Sequence, residues 1–157
     1  MSIWSAVLEK DGQCHTFLGR VFDALEGRQR DYNFLLAGVE AYPGTPDFQF
    51  VNQAPVWMSG KELTRMIRQE DFQWVWGALL AFSTSCSKEQ ILSGVRALYV
   101  PEASDQDSWH IRNRFLETGA EFMIYAEDST YTELLTRNRE LLELFCRHEP
   151  GAVVREL

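Results

Sequence analysis

No charge falls between Phe72 and Ser85, the most sustained apolar stretch of this chain, which lies between Arg68, Glu70 and Asp71 on one side and Lys88 on the other. Its even positions, Phe72, Trp74, Trp76, Ala78, Leu80 and Phe82, are all apolar, while the odd positions Gln73, Val75, Gly77, Leu79, Ala81 and Ser83 are mixed and mostly small. Side chains alternate faces along a strand, so this spacing predicts a central strand with one bulky aromatic face and one shallow face. Gly77 and Ala81 suit the shallow face to a closely packed helix. Phe72, Val75, Trp76, Leu79 and Leu80 also fit helical spacing, which keeps a helix as the competing reading.

The rest of the chain is punctuated in the same terms. Ile3 to Leu8 predicts a first strand, followed by a turn at Lys10-Asp11-Gly12. Phe17, Leu18, Val21, Phe22 and Leu25 make one stripe, predicting a helix from Cys14 to Glu26 that stops at Gly27. Gly27 to Asp31 is a polar connector. Tyr32 to Ala41 predicts a strand with Tyr32, Phe34, Leu36 and Gly38 on one face and Leu35, Ala37 and Val39 on the other. The loop Tyr42-Pro43-Gly44-Thr45-Pro46 then leads into a short antiparallel strand expected at Phe48 to Val51, and Pro55 to Met58 reads as a brief edge segment. Ser59 and Glu62 form a capping box before a helix that buries Leu63, Met66 and Ile67 and ends near Gln69.

Ser87 to Gln90 repeats that capping pattern and opens a short helix through Leu92, closed by Gly94. Ala97 to Val100 predicts a strand stopped by Pro101, and Glu102 to Ser108 a polar acidic loop. Trp109 to Glu117 carries a helical stripe in Ile111, Phe115 and Leu116, ended by Thr118-Gly119. A strand at Glu121 to Tyr125 turns at Glu127-Asp128-Ser129 into a returning strand at Thr130 to Leu135, with a single helix from Thr130 to Phe145 as the alternative. Asn138 caps a last helix that buries Leu141, Leu142, Leu144 and Phe145 and ends at Pro150-Gly151. Interspersed helices and strands with hairpin-like returns predict an α+β fold. We expect a single domain over residues 1–157, built as a mixed, mostly antiparallel sheet with about four or five helices packed on it.

Composition narrows the function classes. At 157 residues the chain can bury about 70% of the surface it exposes when unfolded, enough for a core without staples. The formal net charge of −8 argues against a nucleic-acid backbone binder and against anionic membranes, and it allows a basic protein partner without pointing to one. The segment Met1-Ser2-Ile3-Trp4-Ser5 lacks the basic stretch and long apolar run of a secretory signal, and no run is long enough to span a membrane. Three widely separated cysteines, Cys14, Cys86 and Cys146, read as reduced thiols, so a cytoplasmic location is expected.

Four short words carry a resemblance: Phe17-Leu18-Gly19, Asp31-Tyr32-Asn33, Ser59-Gly60-x-Glu62 and Asp128-Ser129. In this order they resemble a family of small bacterial proteins, largely Gram-positive, known only as a domain of unknown function. The segment from Ser83 to Ser108 is longer than that family's pattern. The resemblance implies a cytoplasmic bacterial α+β protein and brings no activity with it.

Candidate chemistry is sparse. Cys14-His15 are adjacent and Cys146 and His148 lie two apart, where helical side chains diverge, so neither pair has metal-ligand spacing. A Cys–His dyad of Cys14 with His110 or His148 has no supporting elbow or spacing. Gly60-Lys61 lacks the glycines of a phosphate loop. The carboxylate pairs Glu70-Asp71, Asp105 with Asp107, and Glu127-Asp128 flank turns, where solvation keeps them ordinary. No cofactor is expected.

With 13% aromatic residues, the sharper possibility is an aromatic binding surface. Trp57, Trp109 and Tyr131 sit at element ends. We take Trp57, Trp109, Glu102, Asp105 and Asp107 as candidate binding residues. The leading expectation is a non-catalytic binding protein, an immunity- or antitoxin-type inhibitor of a basic partner being one version. The rivals are a small-molecule sensor or small enzyme with a pocket containing one of His15, His110 or His148, and a homo-oligomer paired through Thr130 to Leu135.

Overall fold

A computed structural model describes residues 2–9, 16–53, 55–97 and 107–157. Seven strands form one sheet: β1 (Trp4–Glu9), β2 (Tyr32–Ala41), β3 (Val56–Ser59), β4 (Trp74–Ser83), β5 (Phe122–Glu127), β6 (Tyr131–Thr136) and β7 (Val153–Glu156). Their order is β3-β2-β4-β5-β6-β1-β7, and every pairing is antiparallel rather than mixed. The described residues also form six α-helices, more than the four or five expected: α1 (Leu18–Ala24), α2 (Gly60–Gln69), α3 (Lys88–Arg96), α4 (Asp107–Asn113), α5 (Phe115–Thr118) and α6 (Arg139–His148). Two 3-10 segments, Arg28–Asp31 and Pro46–Asn52, join them.

The sheet separates two apolar cores. Leu18, Phe22, Leu63, Ile67, Leu141 and Phe145 bring α1, α2 and α6 onto one face. Ile91, Val95, Ile111 and Phe115 bring α3, α4 and α5 onto the other. Caps position these helices as their sequences predict. Ser59 accepts from the Glu62 N–H at 3.1 Å, Ser87 from Gln90 at 3.4 Å, and Asn138 from Glu140 at 2.9 Å and Leu141 at 3.3 Å. Gly27 ends α1 at a φ of +78°, its N–H donating to the Phe22 carbonyl at 3.1 Å.

The uncharged run is a strand, flanked by β2 and β5, but its faces do not alternate as predicted. From Tyr32 opposite Ser83 to Ala37 opposite Ala78, β2 and β4 hold one register; beyond it Glu40 faces Trp76 and Ala41 faces Trp74. So β2 carries one extra residue after Ala37, and β4 carries one between Trp76 and Trp74. Gly38, with a φ of +59°, sits in the first offset. Val75 sits in the second, where its carbonyl accepts from the Ser129 N–H at 3.1 Å.

Each offset exchanges faces. Phe72 and Trp74 join Leu79 and Ala81 in the α1–α2 core, instead of sharing a face with Ala78, Leu80 and Phe82. Trp74 is fully buried and stacks on Phe72 with ring centroids 5.2 Å apart. On β2, Val39 turns to the α1–α2 core and Glu40 to the opposite face. The close helix approach is made at Gly38, not at Gly77. A Cβ on Gly77 would meet only side chains at 3.5–3.6 Å, whereas one on Gly38 would lie 2.5 Å from the backbone nitrogen of Ser108 in α4.

Other expectations are corrected by local chemistry. Phe48 to Val51 belongs to a 3-10 segment rather than a strand. The Asn52 side chain accepts from the Ala41 N–H at 2.8 Å and donates to the Ala41 carbonyl at 3.0 Å, occupying groups that a neighbouring strand would use. α1 starts only at Leu18, because Phe17 is extended and bridges Gln73. α3 runs through Gly94 to Arg96 and buries Val95, and Ala97 caps it in helical conformation instead of opening a strand. The rest of that strand and the turn at Lys10-Asp11-Gly12 lie outside the described residues. The helix predicted from Trp109 breaks at Arg114, leaving Leu116 65% exposed.

The returning segment is a strand, as preferred over the single helix, but it runs Tyr131–Thr136 after a turn at Thr130, and β6 lies between β5 and β1. It offers no edge for self-pairing, so the homo-oligomer drawn through it is overturned. The edges are β3 and β7, and β7 went unread because all four of its residues are exposed and leave no burial pattern.

Gly38→Ala is expected to destabilise the protein by about 1–3 kcal/mol, since it combines left-handed backbone with a clash on α4. Gly77→Ala, with ordinary contacts around its new methyl, is expected to shift stability by less than about 1 kcal/mol. Urea unfolding of both variants checks this, and a Gly38→Ala loss no larger than that of Gly77→Ala would contradict it.

Candidate functional site

Residues opposite one another on neighbouring strands share a face of the sheet. Glu40 is opposite Trp76, and Trp76 comes one step beyond the Gly77–Ala126 pair, which sets it beside Glu127. Glu127 is opposite Tyr131, and Tyr131 is opposite Glu9. One row therefore crosses β2, β4, β5, β6 and β1 in the order carboxylate, indole, carboxylate, phenol, carboxylate. Tyr131 packs on the core beneath α3–α5, which assigns the row to that face. Glu40 and Glu9 are exposed, while Trp76, Glu127 and Tyr131 are half-buried.

Two of the three carboxylates are held by a tyrosine two residues away on the chain. The Tyr42 hydroxyl donates to Glu40 Oε1 at 2.5 Å, and the Tyr125 hydroxyl donates to Glu127 Oε1 at 2.9 Å. Tyr125 and Tyr131 pack edge to face with centroids 6.2 Å apart. Burial, then the hydrogen bond to Glu127, pushes the Tyr125 phenol well above its ordinary value. Tyr131 is raised by burial and then by the charge of Glu133, with Glu127 and Glu9 adding to the effect and Arg112 opposing it. Both rings are thereby kept as neutral phenols in a negative field.

The next row inward reads Ala78, Tyr125, Glu133, Val7 and Val153. Glu133 is 1% exposed and its charge is matched on the spot. Arg112 of α4 grips it with Nε at 2.7 Å and Nη2 at 2.8 Å, and the Ser5 hydroxyl donates to it as well. The hydrogen bond to Glu133 raises the Arg112 pKa against the opposing pull of burial. Arg112 is thus committed to the inner carboxylate, and no ion pair is recorded among the described residues for Glu9, Glu40 or Glu127.

Such an arrangement has the chemistry to attract cations. Carboxylates supply charge, and the aromatic faces between them supply a quadrupole that favours ammonium and guanidinium groups. Of the residues singled out from sequence, Trp109 is 43% exposed and packs against the His110 ring at 5.2 Å. It follows Ser108, whose backbone abuts Gly38, two residues before Glu40 on β2. Trp57 is elsewhere: it lies opposite Leu35 and against the Phe82 ring at 6.3 Å, closing the core under α3–α5. Glu102 and Asp105 lie outside the described residues, and Asp107 opens α4. Tyr131 is in the row. Glu9, Glu40, Trp76 and Glu127 were not read as a group, because a row perpendicular to the strands is visible only once cross-strand register is known.

The remaining candidates resolve into structural roles. Glu70 accepts from the Gly44 N–H at 2.7 Å and the Thr45 N–H at 3.0 Å, clamping the loop after β2. Asp71 is exposed, as expected, but accepts from the Gly19 N–H at 3.2 Å, and partial desolvation raises its pKa. His148 lines a cleft of about 360 Å³ with Arg20, Asp23, Arg68, Asp71 and Glu149. There Arg20 pairs with Glu149 at 2.5 Å and Arg68 with Asp23 at 2.6 Å. Cys14 and His15 lie outside the described residues, among which no three metal-ligating side chains converge. Nor is any described helix long and apolar enough to cross a membrane.

The raised phenols set a pH window. Tyr32, pushed up to about 12 mainly by burial, joins Tyr125 and Tyr131 in staying protonated in the fold after the unfolded chain has ionised. Their contribution is therefore fully present below pH about 10 and declines as pH rises above it. Urea midpoints followed from pH 8 to 11 are expected to fall, and less steeply in Tyr125→Phe; an equal slope in that variant would contradict the assignment. Comparison with protein-family models, curated proteins and solved structures returns no match, so the functional reading of this face rests on its geometry.

Proposed function

We propose that this chain is a non-catalytic protein-binding module whose partner presents cationic side chains, as an acidic inhibitor of the immunity or antitoxin kind would. The observation that carries the reading is the alternating row Glu40, Trp76, Glu127, Tyr131 and Glu9. Its three carboxylates stand beside aromatic rings on a rigid sheet, so a docked cation gains charge pairing and ring contact without reordering the backbone. The net charge of −8 adds long-range attraction for a basic partner. The cleft at His148 is a weaker candidate for a small-molecule site, because Arg20, Arg68, Asp23 and Glu149 are already paired there.

The test is a pull-down from lysate of the source cells at low and high salt, run in parallel with the wild-type chain and a Glu9→Gln/Glu40→Gln/Glu127→Gln variant. The expected outcome is a basic protein retained by the wild type, released by salt and lost in the triple variant. Retention of the same protein by the variant, or of none by the wild type, would overturn the proposal.

A further inference from the structure

The spacing of the row specifies the shape of the segment it holds, an inference that rests on the cation-binding reading above. Glu40, Glu127 and Glu9 sit on β2, β5 and β1, and each step between them crosses two strand spacings with one aromatic residue between. Neighbouring strands are about 4.8 Å apart, so successive carboxylates are rooted about 9.6 Å apart. A polyproline II segment rises about 3.1 Å per residue with three residues per turn, bringing every third side chain to the same side after about 9.3 Å. The other regular conformations fit less well. An extended strand returns to one face after about 6.7 Å, and an α-helix after about 5.4 Å for one turn and 10.8 Å for two.

Between the carboxylates, Trp76 and Tyr131 offer the aromatic surface on which proline rings of such segments pack. Tyr42, 64% exposed, adds a further aromatic residue bonded to Glu40 at that end of the row. We infer that the row takes a proline-rich segment in polyproline II conformation carrying Lys or Arg at every third position, with its cations on Glu40, Glu127 and Glu9 and its prolines over Trp76 and Tyr131. Because such a segment is extended before it binds, little chain entropy is lost on docking. Arg112, one row inward, does not repel it, since the guanidinium is matched by Glu133.

Three fluorescent peptides of identical composition, rich in proline with three lysines spaced by two, three or four residues, test this by anisotropy at low salt. The spacing of three is expected to bind about tenfold more tightly than the other two, a difference of about 1.4 kcal/mol. The Glu9→Gln/Glu40→Gln/Glu127→Gln variant is expected to erase that preference, and Trp76→Ala to weaken the favoured peptide most. Equal binding of all three peptides, lost in the triple variant, would overturn the polyproline inference while leaving the cationic reading intact. Binding that persists in the triple variant would overturn both, and no binding by any peptide would overturn the inference.

Discussion

Gly38 stands at a position that an ordinary strand residue does not fill. Its left-handed backbone inserts one extra residue into β2, and its missing side chain lets the first turn of α4 lie against the sheet. Without the offset, simple alternation would send Glu40 toward the core beneath α1 and α2 and leave Val39 on the other face. With it, Val39 is packed in that core and Glu40 is delivered to the row. The second offset, at Val75, does the same for the aromatic strand: it buries Trp74 under α1–α2 and leaves Trp76 at the row. The candidate face is therefore a consequence of two departures from regular pairing that lie almost opposite each other.

The Arg112–Glu133 pair divides the charge on that face. A carboxylate with 1% exposure is costly to bury unless its charge and lone pairs are met, and Arg112 with Ser5 meets them. The pair also ties α4 to β6 and β1, on the far side of the sheet centre from the Gly38 contact. The inner row is thus internally neutral, whereas among the described residues Glu9, Glu40 and Glu127 take part in no ion pair. That contrast is what the proposed reception of a partner's cations uses.

Much of the fold was legible in the sequence. β2 matches its predicted range, the caps at Ser59, Ser87 and Asn138 start the helices they predicted, and Gly27 and Gly119 stop theirs in left-handed conformation. Alternation found β4 and then misassigned Trp74, because periodicity carries no information about where a bulge resets it. Phe48 to Val51 has strand-like composition, yet a single Asn52 side chain claims the neighbouring backbone groups of Ala41. The exposed strand β7 offered no pattern at all. The candidate row was the least legible part. Its members come from five strands far apart in the chain, and only pairing register, which no local signal encodes, sets them in line. Tyr131 and Trp109 were singled out as aromatic residues at element ends; Trp57, read by the same rule, turned out to close the core.

The central proposal is that cations are received at the outer row of this sheet face. The most direct measurement is a pair of amide and indole nitrogen–proton NMR spectra recorded with and without a short oligolysine. The account predicts that the shifted signals cluster at Glu9, Glu40, Trp76, Glu127 and Tyr131, including the Trp76 indole. Shifts centred instead on Asp23, Asp71 and Glu149, at the cleft between α1 and α6, would contradict it.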